Sequence, residues 1–120
     1  MAKGSFVKSW MLAFITYSME LGREFPTNFE SAFSFLPEET KVETNITTKQ
    51  FEIVYQGPYK GLADPGKTIV LREKQPWLGS DGKWRKVYGF ADGHGELRTE
   101  PDGDFEAFEQ KHIQKPSPPH

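Results

Sequence analysis

The side chains best suited to chemistry in this sequence lie close together at Asp92, His94 and Glu96. An imidazole between two carboxylates could move a proton or contribute to a metal site. However, Asp-Gly favours a tight turn, and at a spacing of i, i+2 and i+4 only some of these side chains converge. The sequence therefore predicts a structural turn formed by Asp92, Gly93 and His94, with the His94 ring exposed.

Catalytic residues are not indicated elsewhere in the chain. Ser34 and Ser80 could on paper join His94 in a hydrolytic site, but neither serine lies in a pattern that predicts the strained turn of an activated nucleophile. The chain contains no cysteine, which excludes thiolate nucleophiles, disulfides and cysteine-ligated zinc. We therefore expect a protein that is not an enzyme.

Weak candidates for a metal site are the carboxylates of Asp92, Asp102 and Asp104, which could hold a hard cation such as calcium together with backbone carbonyls. The segment Asp102-Gly103-Asp104 lacks the spacing of an EF-hand loop, and no second cluster of histidines is near in sequence. The sequence predicts no cofactor, with calcium as the alternative.

The segment from Gly61 to Thr68 reads GLADPGKT and satisfies the phosphate-loop pattern G-x-x-x-x-G-K-[ST] at every position. Such a loop holds phosphates when a buried strand enters it and a helix leaves it, because the helix N-terminus and the stacked amides bind the anion. Here β-branched residues and then Pro76 follow Thr68, which leaves room for a strand but hardly for a helix. We expect a turn at 64–66 and no bound nucleotide.

Length and charge describe one small domain without a strong electrostatic preference. The chain has 120 residues and a formal net charge of −2, which is enough for one hydrophobic core. Basic residues are concentrated between 60 and 88 and acidic residues between 92 and 109, so the two segments could attract each other within the fold. Trp77, Trp84 and Tyr88 lie among lysines and arginines, as in a base-stacking platform, but without overall basic charge we expect no nucleic-acid partner.

The first long segment predicts an amphipathic helix over residues 5–21. Its inward positions recur at the helical period, and they are Val7, Trp10, Met11, Phe14, Ile15, Ser18 and Leu21. The uninterrupted apolar stretch runs only over residues 10–17, far below the roughly 20 residues of a membrane span. A short second helix is expected after Thr27 and Glu30, which have the spacing of a capping box, and a final helix is expected over 103–113.

Alternating apolar and polar residues predict strands near 51–56, 68–74, 84–91 and 95–99. Between the last two, Asp92-Gly93 supplies the positive φ that a tight hairpin needs. We therefore predict one α+β domain over residues 1–113, in which the N-terminal amphipathic helix packs on a small antiparallel sheet of three or four strands. Residues 114–120 are rich in proline and are predicted to be a disordered tail.

The chain also resembles a known family, most strongly over residues 68–112. The stretch TIVLREKQPW, followed by DGKWRKVYGFADGHGELRTEPDGDFEAFEQKHI, is similar to the C-terminal half of bacterial pilin-like proteins described by an H-x9-DG motif. In that family a strand closes on F-A-D-G-H, and Phe90 to His94 stand at that place here. The segment MLAFITYSMELGREFPTNFES resembles the helix end and loop of type II secretion pseudopilins.

The resemblance implies a pilin-like headpiece without enzymatic activity. The sequence does not show the type III signal peptide, its cleavage site or the hydrophobic first half of the helix, so we expect a match to the globular headpiece alone. Its expected role is structural or in the assembly of a secretion or surface apparatus in the cell envelope or periplasm, with protein partners or self-assembly. The alternative is a small partner- or ligand-binding module attached to another protein, for example a regulatory, sigma-factor-associated module in the cytoplasm.

Overall fold

A computed structural model describes residues 2–21, 24–36, 48–58 and 62–113 of the chain. Within these residues, helix α1 spans Ala2–Leu21 and helix α2 spans Glu106–His112. The strands are β1 (Phe51–Ile53), β2 (Ile69–Glu73), β3 (Trp77–Leu78), β4 (Trp84–Phe90) and β5 (Gly95–Glu100). Short 3-10 helices occupy Glu30–Phe35, Thr48–Gln50 and Pro65–Lys67.

The sheet is antiparallel at each described pairing, with β4 at its centre. β5 pairs with one edge of β4, from Trp84 opposite Glu100 to Gly89 opposite Gly95. β2 and β3 both pair with β4, and since β5 occupies one edge they share the other. This arrangement confirms the predicted α+β class, and it adds β3, a strand that the residue pattern did not indicate.

Helix α1 packs across one face of the sheet through fully buried side chains that include Val7, Met11 and Phe14. It approaches the sheet most closely at Gly89, where an added Cβ would lie 2.7 Å from side-chain carbons of Val7 and Met11. A larger residue in β4 would have to displace both side chains. Glycine at this position therefore lets the helix rest on the strand backbone.

The outer parts of α1 differ from the predicted inward stripe. Ile15 is half-buried, and Leu21 is 48% exposed, so the prediction that Leu21 faces the core was wrong. Leu12 and Met19 are also largely exposed. Apolar residues thus lie on both the buried and the exposed sides of this helix. None of the helices in the described segments is long and apolar enough to span a membrane.

The second helix is the 3-10 helix Glu30–Phe35 rather than an α-helix. The predicted capping by Thr27 was wrong, because Phe29 is the N-cap residue and no side chain caps the helix there. The Oδ1 of Asn28 instead accepts the backbone N–H of Ser31 at 2.8 Å. Gly61 and the predicted tail 114–120 lie outside the described residues.

Helix α2 covers the opposite face of the sheet. Its core consists of Ile69, Tyr88, Phe90, Phe105 and Phe108, separate from the core under α1. The helix starts at Glu106, later than the predicted residue 103. The helix begins later than predicted because a turn precedes it at Gly103, which has a φ of +75°. The Oδ1 of Asp104 then accepts the Glu106 N–H at 3.0 Å.

Candidate functional site

The hairpin between β4 and β5 is closed by a three-residue loop. The Phe90 carbonyl accepts the Gly93 N–H at 2.8 Å, and the Phe90 N–H donates to the His94 carbonyl at 2.9 Å. Gly93 has a φ of +98°, which is the left-handed position of a type I turn followed by a bulge. A glycine is required there because a side chain at positive φ clashes with the backbone.

The Asp92 carboxylate holds His94 against the hairpin. Its Oδ1 accepts the backbone N–H of His94 at 3.0 Å and lies 2.5 Å from the ring Nδ1. Burial by itself would raise the pKa of Asp92, but the hydrogen bonds from His94 outweigh it and lower that pKa. The His94 ring stacks on Phe90 with centroids 4.4 Å apart. These contacts make Asp92, Gly93 and His94 a structural turn whose ring is half-exposed rather than fully exposed.

The same turn occurs three times in the described residues. Each copy is an Asp-Gly pair whose glycine has positive φ and whose aspartate Oδ1 accepts the N–H two residues later at 3.0 or 3.1 Å. The three pairs are Asp81-Gly82, Asp92-Gly93 and Asp102-Gly103. The repeat is visible in the sequence, and a search for recurrent Asp-Gly pairs finds all three turns. The turns at Asp81-Gly82 and Asp102-Gly103 were not predicted, because only the hairpin tip was considered.

The three aspartates considered as calcium ligands, Asp92, Asp102 and Asp104, do not converge on one site. Asp92 follows β4 and Asp102 follows β5, and the register places these turns at opposite ends of the hairpin. The two turns are separated by about six residues of strand, or roughly 20 Å. Asp102 and Asp104 lie near each other, but the Oδ1 of each accepts a backbone N–H. In the described part of the chain no group of three or more histidines, aspartates or glutamates could hold a metal ion.

In the described residues neither Ser34 nor Ser80 forms a hydrogen bond with His94. Ser80 lies in the turn between β3 and β4, at the end of β4 opposite to His94, and Ser34 is exposed on a 3-10 helix. The structure therefore does not assemble a serine–histidine pair from these residues.

The phosphate-loop-like segment forms a turn whose donors are used internally. The Lys67 N–H donates to the Asp64 carbonyl at 3.0 Å, and the Thr68 N–H donates to the Pro65 carbonyl at 3.3 Å. The Thr68 hydroxyl also donates to the Asp64 carbonyl at 3.0 Å. Strand β2 begins at the next residue, Ile69. The segment thus lacks the strand–loop–helix geometry on which phosphate binding at this motif depends.

A partly buried ion network joins α2 to the sheet. The Glu109 carboxylate accepts hydrogen bonds from Arg72 at 2.7 Å, from Lys86 at 2.7 Å and from the Tyr88 hydroxyl at 2.6 Å. Burial would raise the pKa of Glu109, but these donors and the two cations lower it. Burial and the neighbouring Glu109 raise the pKa of Tyr88. The basic segment 60–88 and the acidic segment 92–109 meet at this carboxylate.

The network contains Tyr88, one of the residues singled out in the sequence. Tyr88 is fully buried, so its ring is not available as a base-stacking surface. Arg72 also donates to Glu52 on β1, which extends the network to the edge strand. The network thus joins α2 to β2 and β4 through hydrogen bonds to one carboxylate.

A groove of about 410 Å³ lies between β5 and α2. Its apolar lining comes from Phe90, Ala107 and Phe108. Its basic residues are Lys67, Arg98, Lys111 and His112, and its acidic residues are Glu96, Glu100 and Asp104. Sequence reasoning did not identify this groove, because its two sides are distant elements whose contact no local pattern reports.

Arg98 and His112 are held in defined orientations beside this groove. The Arg98 guanidinium carbon lies 4.4 Å from the Phe108 ring centroid, and its Nε donates to Glu100 at 3.2 Å. The His112 Nδ1 is 2.8 Å from the Phe108 carbonyl. Since a carbonyl only accepts, Nδ1 carries the proton, and in the neutral ring Nε2 is the acceptor. The groove therefore offers one oriented guanidinium and one imidazole nitrogen.

Comparison of the chain with family models, with curated proteins and with solved structures found no match in any of the three.

Proposed function

We propose that this chain is a non-enzymatic assembly module, a pilin-like headpiece that contacts other protein chains of a secretion or surface apparatus. The observation that carries the proposal is the outer side of α1, where Leu12 is 57% exposed and Met19 is 65% exposed. Residues seven apart on a helix share one face, and these two lie about 10 Å apart along the axis. They form an exposed apolar stripe on a helix whose inner face is already buried.

The residue between them adds little polarity to this stripe. The Thr16 hydroxyl donates to the Leu12 carbonyl at 2.8 Å, so its polar atom is satisfied within the helix. A surface helix of a self-sufficient domain normally presents polar residues to water, whereas exposed apolar patches mark interaction sites. Contact with another protein chain would remove Leu12 and Met19 from water.

The architecture supports the same proposal. A helix packed across an antiparallel sheet, with the segment Phe90 to His94 closing the hairpin, agrees with what the resemblance to pilin-like headpieces implies. A place in the cell envelope or periplasm is part of the proposal.

Site-specific cross-linking tests it. A photoreactive amino acid at position 12, in the protein produced at natural levels in its own host, should give discrete adducts identified by mass spectrometry. The photoreactive amino acid in place of Ser80, which is exposed in the turn between β3 and β4, serves as the matched control. Adducts with components of a secretion or surface apparatus support the proposal, and adducts with transcription components favour the regulatory module instead.

A paired variant separates assembly from folding. Leu12→Asp combined with Met19→Asp should abolish the adducts and the incorporation of the chain into any complex. Its melting temperature should stay close to that of the parent, because both side chains are exposed in the isolated chain. Absence of adducts from position 12 in the parent protein, or equal adducts from Ser80, contradicts the proposal.

A further inference from the structure

We propose that β5 pairs with β5 of a second copy of this chain, in an antiparallel arrangement that makes the two sheets continuous across a two-fold axis. β5 is an edge strand, because it pairs with β4 along one side and no described strand pairs with its other side. It has six residues, whereas the edge strand β1 has three. The inference concerns a different surface from Leu12 and Met19 and goes beyond the assembly role proposed for α1.

Every second residue of β5 directs its backbone groups away from β4. The Phe90 N–H donates across the hairpin to the His94 carbonyl at 2.9 Å, which makes these two residues a hydrogen-bonded pair. Such pairs alternate with non-hydrogen-bonded pairs along an antiparallel ladder. The residues whose N–H and C=O groups face outward are therefore Gly95, Leu97 and Thr99. In the described part of the chain nothing pairs with these outward groups.

β5 lacks the features that commonly protect an edge strand from pairing, which include prolines, bulges and lysines. Its sequence GELRTE contains neither proline nor lysine, and its register with β4 is regular from end to end. Leu97, near the middle of the strand, is 40% exposed. The charged residues of β5 have both signs, so they oppose pairing only in registers that bring like charges together.

One register uses all of the outward backbone groups. In this register Leu97 lies on the two-fold axis, opposite Leu97 of the second copy. Gly95 then lies opposite Thr99 of the second copy, and each of these pairs exchanges both of its N–H···O bonds. The two exposed leucines also contact each other, which removes apolar surface from water.

The same register brings opposite charges together on the α2 side of the sheet. Glu96 lies opposite Arg98 of the second copy, and the two-fold axis repeats this pair. Both side chains are accessible, with 40% of Glu96 and 42% of Arg98 exposed. Arg98 keeps the bond from its Nε to Glu100 and reaches the second copy through the outer N–H groups of its guanidinium. Cross-strand pairs of opposite charge stabilise an antiparallel sheet.

The neighbouring registers are less favourable. With Arg98 on the axis, two arginines lie opposite each other and Glu96 faces Glu100 of the second copy. With Glu96 on the axis, two glutamates lie opposite each other, and like charges in this position are destabilising. With Thr99 on the axis, Pro101 enters the pairing without an N–H to donate. The register centred on the leucine is therefore the one that the sequence of β5 favours.

Single cysteines test this register in the full chain. The chain contains no cysteine, so one introduced cysteine forms only intermolecular disulfides. On the axis the two Cα atoms of position 97 are about 5.5 Å apart, which a disulfide can bridge. Those of position 99 are more than about 13 Å apart. Leu97→Cys should therefore oxidise to a disulfide dimer at least about tenfold faster than its matched control on the same edge, Thr99→Cys.

Sedimentation equilibrium tests the association without a cross-link. The parent should show a monomer–dimer equilibrium at concentrations up to about 0.5 mM. Leu97→Asp places two carboxylates on the axis and should weaken the dimer at least about tenfold. Leu12→Asp combined with Met19→Asp should leave this dimer unchanged, which separates the β5 contact from the role proposed for α1.

A charge exchange tests the pair on the α2 side of the sheet. Glu96→Lys and Arg98→Glu should each weaken the dimer, because each variant brings like charges together. An equimolar mixture of the two variants should restore a heterodimer, since the reversed charge of one chain then faces the reversed charge of the other. Thermal unfolding checks that each variant is folded, and Leu97→Asp provides the test if Arg98→Glu does not fold.

Several results would overturn the inference. They are a parent chain that stays monomeric, equal oxidation rates for Leu97→Cys and Thr99→Cys, and a Leu97→Asp variant that associates like the parent. A mixture of folded Glu96→Lys and Arg98→Glu that does not associate would overturn the register. A dimer that is lost only in the variant of Leu12 and Met19 would assign the association to α1 and also contradict the pairing of β5.

Discussion

The Oε1 atom of Glu73 accepts the backbone N–H of Val87 at 2.9 Å, in place of a strand carbonyl. β2 pairs with β4 as far as Arg72 opposite Tyr88, and β3 resumes the pairing at Trp77 opposite Arg85. Between these points a carboxylate that is 3% exposed bridges the break. The same oxygen accepts the Trp77 indole N–H at 3.1 Å. One side chain thus satisfies a buried amide of β4 and positions the start of β3.

Replacement of Glu73 should therefore be costly. Glu73→Ala leaves the Val87 amide and the Trp77 indole without their acceptor, and we expect a loss of about 1–3 kcal/mol in the free energy of unfolding, measured by urea denaturation. Glu73→Gln keeps a carbonyl oxygen at the same place and should lose less. Equal losses in the two variants would contradict the role of Glu73 as an acceptor.

The two sides of α1 should respond differently to truncation. Phe14 is fully buried against the sheet, and Phe14→Ala should lower the free energy of unfolding by about 3–5 kcal/mol through lost burial and a residual cavity. Leu12 is exposed on the same helix, and Leu12→Ala should change the free energy of unfolding by no more than about 0.5 kcal/mol. Denaturant midpoints of the purified variants measure both. An unchanged midpoint for Phe14→Ala would place its side chain outside the core.

The hairpin tip should depend on Gly93 more than on His94. Gly93→Val places a β-branched residue at a φ of +98° and should cost about 1–2 kcal/mol or more. His94→Ala removes one ring stacked on Phe90 and should cost less than about 1.5 kcal/mol. Gly82→Ala is the control for backbone strain alone, because an added Cβ there meets no atom within 4 Å. Thermal unfolding of the three variants ranks their stabilities. A greater loss of stability for His94→Ala than for Gly93→Val would refute this account.

The Glu109 network should make the stability of the fold depend on pH in both the acidic and the alkaline range. The lowered pKa of Glu109 means that the folded state binds its proton less tightly than the unfolded chain does. Its contribution is complete above the unfolded pKa of about 4.3 and is lost as pH falls through the folded pKa. The raised pKa of Tyr88 has the opposite sign: its contribution is present below about pH 10 and is lost as pH rises above that value.

Melting temperatures from pH 3 to pH 11 test this dependence. Glu109→Gln should lower stability at pH 7 and flatten the acid limb, and Tyr88→Phe should flatten the alkaline limb. Glu106→Gln, which changes an exposed residue on the same helix, should leave both limbs in place. An acid limb unaltered by Glu109→Gln would show that other carboxylates determine it.

Nucleotide should not bind at the turn that precedes β2. The Lys67 and Thr68 amides and the Thr68 hydroxyl already donate to the Asp64 and Pro65 carbonyls, so a phosphate would have to break the turn to reach them. Calorimetric titration with magnesium-ATP should show no saturable heat. Micromolar binding that disappears in Lys67→Ala would reverse this conclusion.

The sequence by itself determined the elements whose signals are local. The apolar period of α1, the alternation in β4 and β5 and the Asp92-Gly93 pair each reflect a backbone conformation that neighbouring residues decide, and the structure contains all of them. β3 was missed because a two-residue strand is too short to show a period. Leu21 was misplaced because periodicity identifies a helix stripe but not where the sheet beneath it ends.

Tertiary structure alone decided the candidate sites. Arg98 and Phe108 belong to different elements, and only the packing of α2 on the sheet places the guanidinium over the ring. Only the break between β2 and β3 turns Glu73, which reads as an ordinary strand residue, into a buried acceptor for Val87. Such contacts depend on strand register and on which face each element buries, and these are determined by the packing of the whole chain rather than by neighbours in sequence.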